Sequence, residues 1–129
     1  MKLSSLATAG LTTSILSILA GAIVRATGSG DGCGASWPTC NGRVIPSLET
    51  SSEIIEFSHR SISGVLLIVT LLLFVKSKDP DTPLLHKKII NYLTFFVLLE
   101  AAIGAVIVIY EWVGLNSSLP RIIACLLYT

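Results

Sequence analysis

The sequence predicts an all-α integral membrane protein, an antiparallel helix bundle of three full transmembrane helices plus the start of a fourth. Of the 129 residues, 52% are hydrophobic and only 13% are charged, whereas soluble domains carry about 25% charged residues. The apolar residues fall into runs long enough to cross roughly 30 Å of hydrocarbon. The net charge of +1 argues against nucleic acid as a partner, because phosphate binding needs clustered Lys and Arg. We interpret residues 1–129 as a single transmembrane domain.

Four apolar runs define the predicted helices. The first helix spans about residues 6–26 and contains small side chains that allow close helix packing. Its segment 20–22 also resembles a signal-peptide cleavage site, but the apolar run is longer than a signal peptide needs. The second and third helices are predicted at 57–76 and 88–111. The last apolar run, at 119–129, is too short to cross a bilayer.

A polar loop, residues 27–52, separates the first two helices, and its glycines and prolines prevent a continuous helix. Thr50 and Glu53 at its end have the spacing of a helix-capping box. Cys33 and Cys40 lie in the loop with six residues between them. That spacing suits a small disulfide loop and matches zinc sites poorly, because those use shorter Cys-x-x-Cys pairs.

The placement of lysines predicts the orientation in the membrane. The second and third helices are joined by a segment with four lysines: Lys76, Lys78, Lys87 and Lys88. Lys2 lies on the same side. Because positively charged loops stay in the cytoplasm, we expect a cytoplasmic N-terminus and an extracellular cysteine loop in the plasma membrane. An extracellular loop also suits a disulfide, which needs an oxidising compartment.

Three polar residues, Glu56, His59 and Arg60, mark the start of the second helix. Glu56 and His59 are three positions apart and share a helix face. An imidazole there, with a carboxylate beside it, would suit an axial ligand of haem iron. The alternative is structural, because Glu56 and Arg60 have the i,i+4 spacing of an ion pair and His59 would then be a hydrated interfacial residue. Spacing alone favours this alternative.

Other charged residues leave two interpretations open. Glu100 lies in the middle of the third helix, where an ionisable group costs a few kcal/mol. We expect it to face the bundle interior, either with a functional role or as a protonated hydrogen-bonding group. Arg25 and Arg60 flank the loop and would either reach the lipid headgroups or bind the carboxylates of a porphyrin. We assign no role to His86, at the other end of the helices.

Three segments resemble the haem A synthase family in order along nearly the whole chain. Residues 21–46 read GAIVRATGSGDGCGASWPTCNGRVIP, which is similar to the family's V-R-x-T-G-S-G turn followed by a cysteine pair enclosing Trp-Pro. Residues 56–60, EFSHR, resemble the family's E-x-x-H-R at the start of helix two. Residues 98–109, LLEAAIGAVIVI, resemble its L-G-A run in helix three.

The resemblance implies a specific chemistry. Haem A synthases oxidise one methyl group of haem O to a formyl group and so provide haem A for terminal cytochrome oxidases. The resemblance implies that His59 is an axial ligand of the haem iron and that Glu56 lies beside the reacting site. It also implies that Cys33 and Cys40 form a disulfide in the loop.

The expected cofactor and partners follow from the same resemblance. Haem O is expected as the substrate, and haem b is a further candidate for the bound porphyrin. Membrane lipid, haem O synthase and cytochrome oxidase assembly proteins are the expected partners, and a half-length member would assemble as a homo-oligomer. Each half of the family's fold is a four-helix unit that holds a porphyrin between histidines on its second and fourth helices.

The chain departs from the family pattern in its last residues. The histidine of the fourth helix is absent from residues 122–129, and Tyr128 stands about where it is expected. We therefore expect these 129 residues alone to be poorly stable and to make little haem A. The alternative functions are a non-catalytic haem-binding membrane protein, an inactive truncated copy and a purely structural membrane protein.

Overall fold

The computed structural model describes residues 2–47 and 49–110, which form three long α-helices joined by one large loop and one short link. The helices, in chain order, are α1 (Leu3–Thr27), α2 (Ser51–Lys76) and α3 (Leu84–Ile109). Each is long and apolar enough to cross a membrane. This part of the chain has no β-strand, only an isolated antiparallel pairing of Cys40 with Arg43. The prediction of an all-α membrane protein is confirmed.

α2 begins before its apolar run because its first turn is capped from the loop. The hydroxyl of Thr50 accepts a hydrogen bond from the backbone N–H of Glu53 at 3.3 Å, which satisfies one of the free N–H groups of a helix start. The helix therefore starts at Ser51, where the capping-box spacing places it, and the predicted spanning segment 57–76 is its apolar part. α1 ends at Gly28, which has a φ of +65°, a conformation that glycine adopts easily because it lacks a Cβ.

The three helices meet at the end of the bundle that carries the link 77–83, which we call the link end. There Leu6 of α1, Leu73 of α2 and Ile90 of α3 form a buried apolar cluster. α2 packs against both other helices. These three side chains pack against one another, and this contact holds the helices together at the link end.

The opposite end, which carries the disulfide loop, is called the loop end. Near it α1 and α2 stay in contact, and the hydroxyls of Ser17 and Ser63 share a hydrogen bond at 2.8 Å. α3 behaves differently, because its fully buried residues, Ile90 and Thr94, both lie in the half near the link end. The other half of α3 has no fully buried residue among those described, so the bundle is more open at the loop end.

Most large apolar side chains lie on the surface of the bundle. Ile18 of α1 is 68% exposed and Ile68 of α2 is 60% exposed. Continuous apolar surface of this kind is typical of helices that face lipid, and the chain is an integral membrane protein. The kind of membrane and the side on which the loop lies stay predictions. The predicted helix start at 119–129, with Cys125, lies outside the described residues.

Candidate functional site

A disulfide closes the loop between α1 and α2. Cys33 and Cys40 are bonded, and both side chains are fully buried. The backbone N–H of Asn41 donates to the carbonyl of Cys33 at 3.0 Å, and Cys40 and Arg43 exchange backbone hydrogen bonds of 2.8 and 2.9 Å. The disulfide implied by the family resemblance is therefore present, inside a small hydrogen-bonded ring of backbone.

Glu56 and Arg60 fasten this ring to α2. They form an ion pair across one helical turn, as the structural alternative predicted. The second oxygen of Glu56 accepts from the backbone N–H of Cys33 at 2.7 Å. Nη1 of Arg60 donates to the carbonyls of Ser36 and Thr39 at 2.6 and 2.8 Å. Because Glu56 is only 3% exposed, its carboxylate is held in a fixed position between the loop and the helix.

Glu53 is a second buried carboxylate at the same place, and its role was not predicted. Its oxygens accept from the hydroxyl and the backbone N–H of Ser47, at 2.8 and 3.3 Å, and from the amide of Asn41 at 3.5 Å. Only half of the predicted capping box forms, because Thr50 caps Glu53 while the Glu53 carboxylate turns towards the loop. The signal in the sequence was a second acidic residue, three positions before Glu56 on the same side of the helix.

Glycine at position 32 allows the loop to approach α2 closely. A Cβ on Gly32 would lie 2.6 Å from the carbonyl carbon and oxygen of Ser52, far closer than van der Waals contact. Gly34 and Asn41 have φ angles of +58° and +51°, a left-handed region that glycine and asparagine tolerate. The glycines of the loop therefore let the disulfide ring lie directly against the first turn of α2.

His59 lies on the bundle-facing side of α2, one turn beyond Glu56. Helical periodicity places it on the same face as Leu66 and Thr70, which are both buried. Its own side chain is half-buried. Neither ring nitrogen has a hydrogen-bond partner among the described residues. An imidazole in this state is chemically able to bind a metal, since a neutral ring nitrogen offers a lone pair.

Two glycines leave space beside the helices towards the loop end. A Cβ added at Gly64 of α2 or Gly104 of α3 would meet no heavy atom within 4 Å, although both residues are partly buried. Gly64 lies about 7.5 Å from His59 along the helix axis. Glu100 precedes Gly104 by one turn and is exposed on the surface of the three helices, so the expectation that it faces their interior is wrong.

The remaining predicted site residues have different surroundings. Arg25 is exposed at the loop end of α1, and its guanidinium has no partner in the described part of the chain. His86 is exposed at the link end. The structure thus brings Glu56, His59 and Arg60 together on α2, places Arg25 at the same end of the bundle and leaves His86 at the other. Their roles in binding or catalysis stay predictions.

Comparison with known proteins identifies the family of the chain. The sequence model of a family described as "Cytochrome oxidase assembly protein" matches residues 4–54, which include nearly all of α1 and the disulfide loop and end just before Glu56. The chain is 41% identical over 97 residues to the Heme A synthase of Lysinibacillus sphaericus, covering 74% of this chain and 32% of that protein. The chain belongs to the haem A synthase family. The resemblance drawn from the three sequence segments is thereby confirmed.

Two further relatives of this haem A synthase family member were found. The Heme A synthase of Staphylococcus aureus is 40% identical over 94 residues, which cover 72% of this chain and 31% of that protein. A Protoheme IX farnesyltransferase of Thermus thermophilus is 39% identical over 123 residues, 93% of this chain and 20% of that protein. The chain therefore spans about a fifth to a third of the length of these relatives. No solved structure matches the chain.

Proposed function

We propose that this chain is a haem-binding unit of an enzyme of haem A biosynthesis. The proposed enzyme oxidises one methyl group of haem O to a formyl group. The supporting observation is His59, a half-buried imidazole on the bundle-facing side of α2 that has no hydrogen-bond partner among the described residues. No group of three or more His, Cys, Asp or Glu within residues 2–47 and 49–110 is arranged to hold a metal ion. A single imidazole fits an iron whose other ligands come from a porphyrin.

In this proposal His59 binds the haem iron and the space beside Gly64 and Gly104 accommodates part of the ring. Arg25 binds a porphyrin carboxylate at the loop end, because its guanidinium is exposed and has no partner in the described part of the chain. Arg60 is less suited to that role than the sequence indicated. Its Nη1 is already bound to two loop carbonyls and its Nη2 to Glu56.

Glu56 contributes a fixed negative charge one turn from His59. Both of its oxygens are engaged, one by Arg60 and one by the N–H of Cys33. It therefore acts through electrostatics and through positioning of the loop, and does not exchange protons freely with solvent. When bound, the iron porphyrin supplies the oxidation chemistry, while the protein supplies orientation and a site with little water.

The partners follow from the same proposal. Haem O is the substrate, and its product serves cytochrome oxidase assembly, the process named for the matching family. Haem O synthase is a further proposed partner, since one relative of the chain is a Protoheme IX farnesyltransferase.

The test compares His59→Ala with His86→Ala, a matched change of an exposed histidine at the opposite end of the bundle. We expect the visible absorption of bound haem to be lost in His59→Ala and kept in His86→Ala. Equal loss in both variants would refute the assignment of His59. Haem extracted from cells without their own synthase tests the reaction, because bound haem O without any haem A would indicate binding alone.

A further inference from the structure

The disulfide loop exposes large apolar side chains although the loop is otherwise polar. Trp37 is 49% exposed, and Val44 and Ile45 are 78% and 73% exposed. The backbone pairing of Cys40 with Arg43 reverses the chain between them. A single exposed hydrophobic residue is ordinary, but three of them within one short loop indicate an apolar or interfacial neighbour.

The length of α2 indicates how deep this ring lies. α2 has 26 residues, about 39 Å of helix at 1.5 Å per residue, which exceeds the roughly 30 Å of hydrocarbon. Lys76 at the link end is suited to the opposite interface. Counting about 20 residues back from Lys76 puts the hydrocarbon edge near Phe57. The first part of the helix, from Ser51 to the hydrocarbon edge, therefore lies in the headgroup layer on the side of the loop.

The hydrogen bonds of Arg60 indicate how deep the loop lies in the membrane. It lies within about one turn of the hydrocarbon edge, and its side chain leans towards the N-terminus of the helix, as helical side chains do. The two carbonyls that it binds, those of Ser36 and Thr39, therefore lie close to the edge itself. Pairing these carbonyls removes the cost of unsatisfied backbone groups near lipid. Trp37 lies between them in the chain.

We propose that Trp37 inserts into the lipid headgroup layer at the loop end, so that the segment 36–39 docks on the membrane surface there. An indole suits this layer because its ring is apolar and its N–H donates a hydrogen bond. Arg43 is exposed in the same ring and supplies a cation for lipid phosphate. The loop is thereby fixed on two sides, by α2 and by lipid, at the level of His59.

Fluorescence quenching in vesicles tests this docking. Trp112→Phe leaves Trp37 as the only tryptophan of the chain, and Trp112→Tyr serves if the first variant is not recovered. The protein is placed in phosphatidylcholine brominated either near the headgroup or near the end of the acyl chain. We expect Trp37 to be quenched mainly by the shallow bromines and protected from iodide in the water.

The control is Glu49→Trp in a chain without Trp37 and Trp112. Position 49 is exposed and precedes α2, beyond the hydrocarbon edge, so iodide should quench this tryptophan strongly. Quenching of Trp37 by iodide as strong as in the control would overturn the proposal, because the loop would then project into water. Resistance to both bromolipids and iodide would also overturn it, because protein would then cover Trp37. Alkylation and mass spectrometry verify that the Cys33–Cys40 disulfide is intact in every variant.

Discussion

Replacing Glu56 with glutamine tests whether this residue anchors the disulfide loop. The carboxylate accepts at both oxygens, one from the N–H of Cys33 at 2.7 Å and one from Arg60. Glutamine keeps the size of the side chain but has one acceptor oxygen and an amide group that only donates. In Glu56→Gln the two donors therefore compete for one oxygen, and the other donor is left facing amide hydrogens.

The expected size of the effect follows from burial. Glu56 is 3% exposed, so water does not readily replace the lost acceptor. A buried donor without a partner costs about 1–3 kcal/mol. Since each 1.4 kcal/mol corresponds to a factor of ten, the loop should detach from α2 roughly 5- to 150-fold more often.

Hydrogen exchange measured by mass spectrometry on peptides around Cys33 is the assay, with the protein in lipid nanodiscs. The amide of Cys33 exchanges only when its bond to Glu56 opens, so its exchange rate should rise by the same factor. Glu49→Gln is the control, because Glu49 is exposed and has no partner in the described part of the chain. Equal exchange rates at Cys33 in Glu56→Gln and Glu49→Gln would refute the anchoring role.

Two other substitutions test the packing. Gly32→Ala should detach the loop and raise its protease sensitivity, because the new Cβ would lie 2.6 Å from the backbone of Ser52. Gly64→Ala is the control and should leave the protease sensitivity of the loop unchanged, because a Cβ there meets open space. Equal sensitivity in both variants would contradict this. Thr70→Val should stabilise the bundle by about 1 kcal/mol in thermal unfolding, since it removes a buried hydroxyl that has no hydrogen-bond partner within residues 2–47 and 49–110. Thr94→Val should not stabilise it, because that hydroxyl bonds the Ile90 carbonyl. An equal gain in both would contradict this reasoning, because the gain would then not depend on whether the hydroxyl has a hydrogen-bond partner.

The sequence predicted the membrane class from hydropathy, and the short-range pairs from spacing. Glu56 and Arg60 are four positions apart on one helix, so their ion pair required only that α2 forms. The capping-box spacing of Thr50 and Glu53 indicated where α2 begins, because this cap also depends only on neighbouring residues. Glu100 is exposed among the three described helices, because the apolar run alone does not indicate which face of a helix meets its neighbours.

The sequence by itself determined that the chain is a helical membrane protein and, through its motifs, a member of the haem A synthase family. Both properties depend on residues close together in the chain. Only the tertiary structure decided how the loop is used. The bonds from Glu56 to Cys33 and from Arg60 to Ser36 join residues 23 and 24 positions apart. Such partners depend on the path of the folded loop, which brings donors and acceptors together only when α2 and the disulfide ring are both formed.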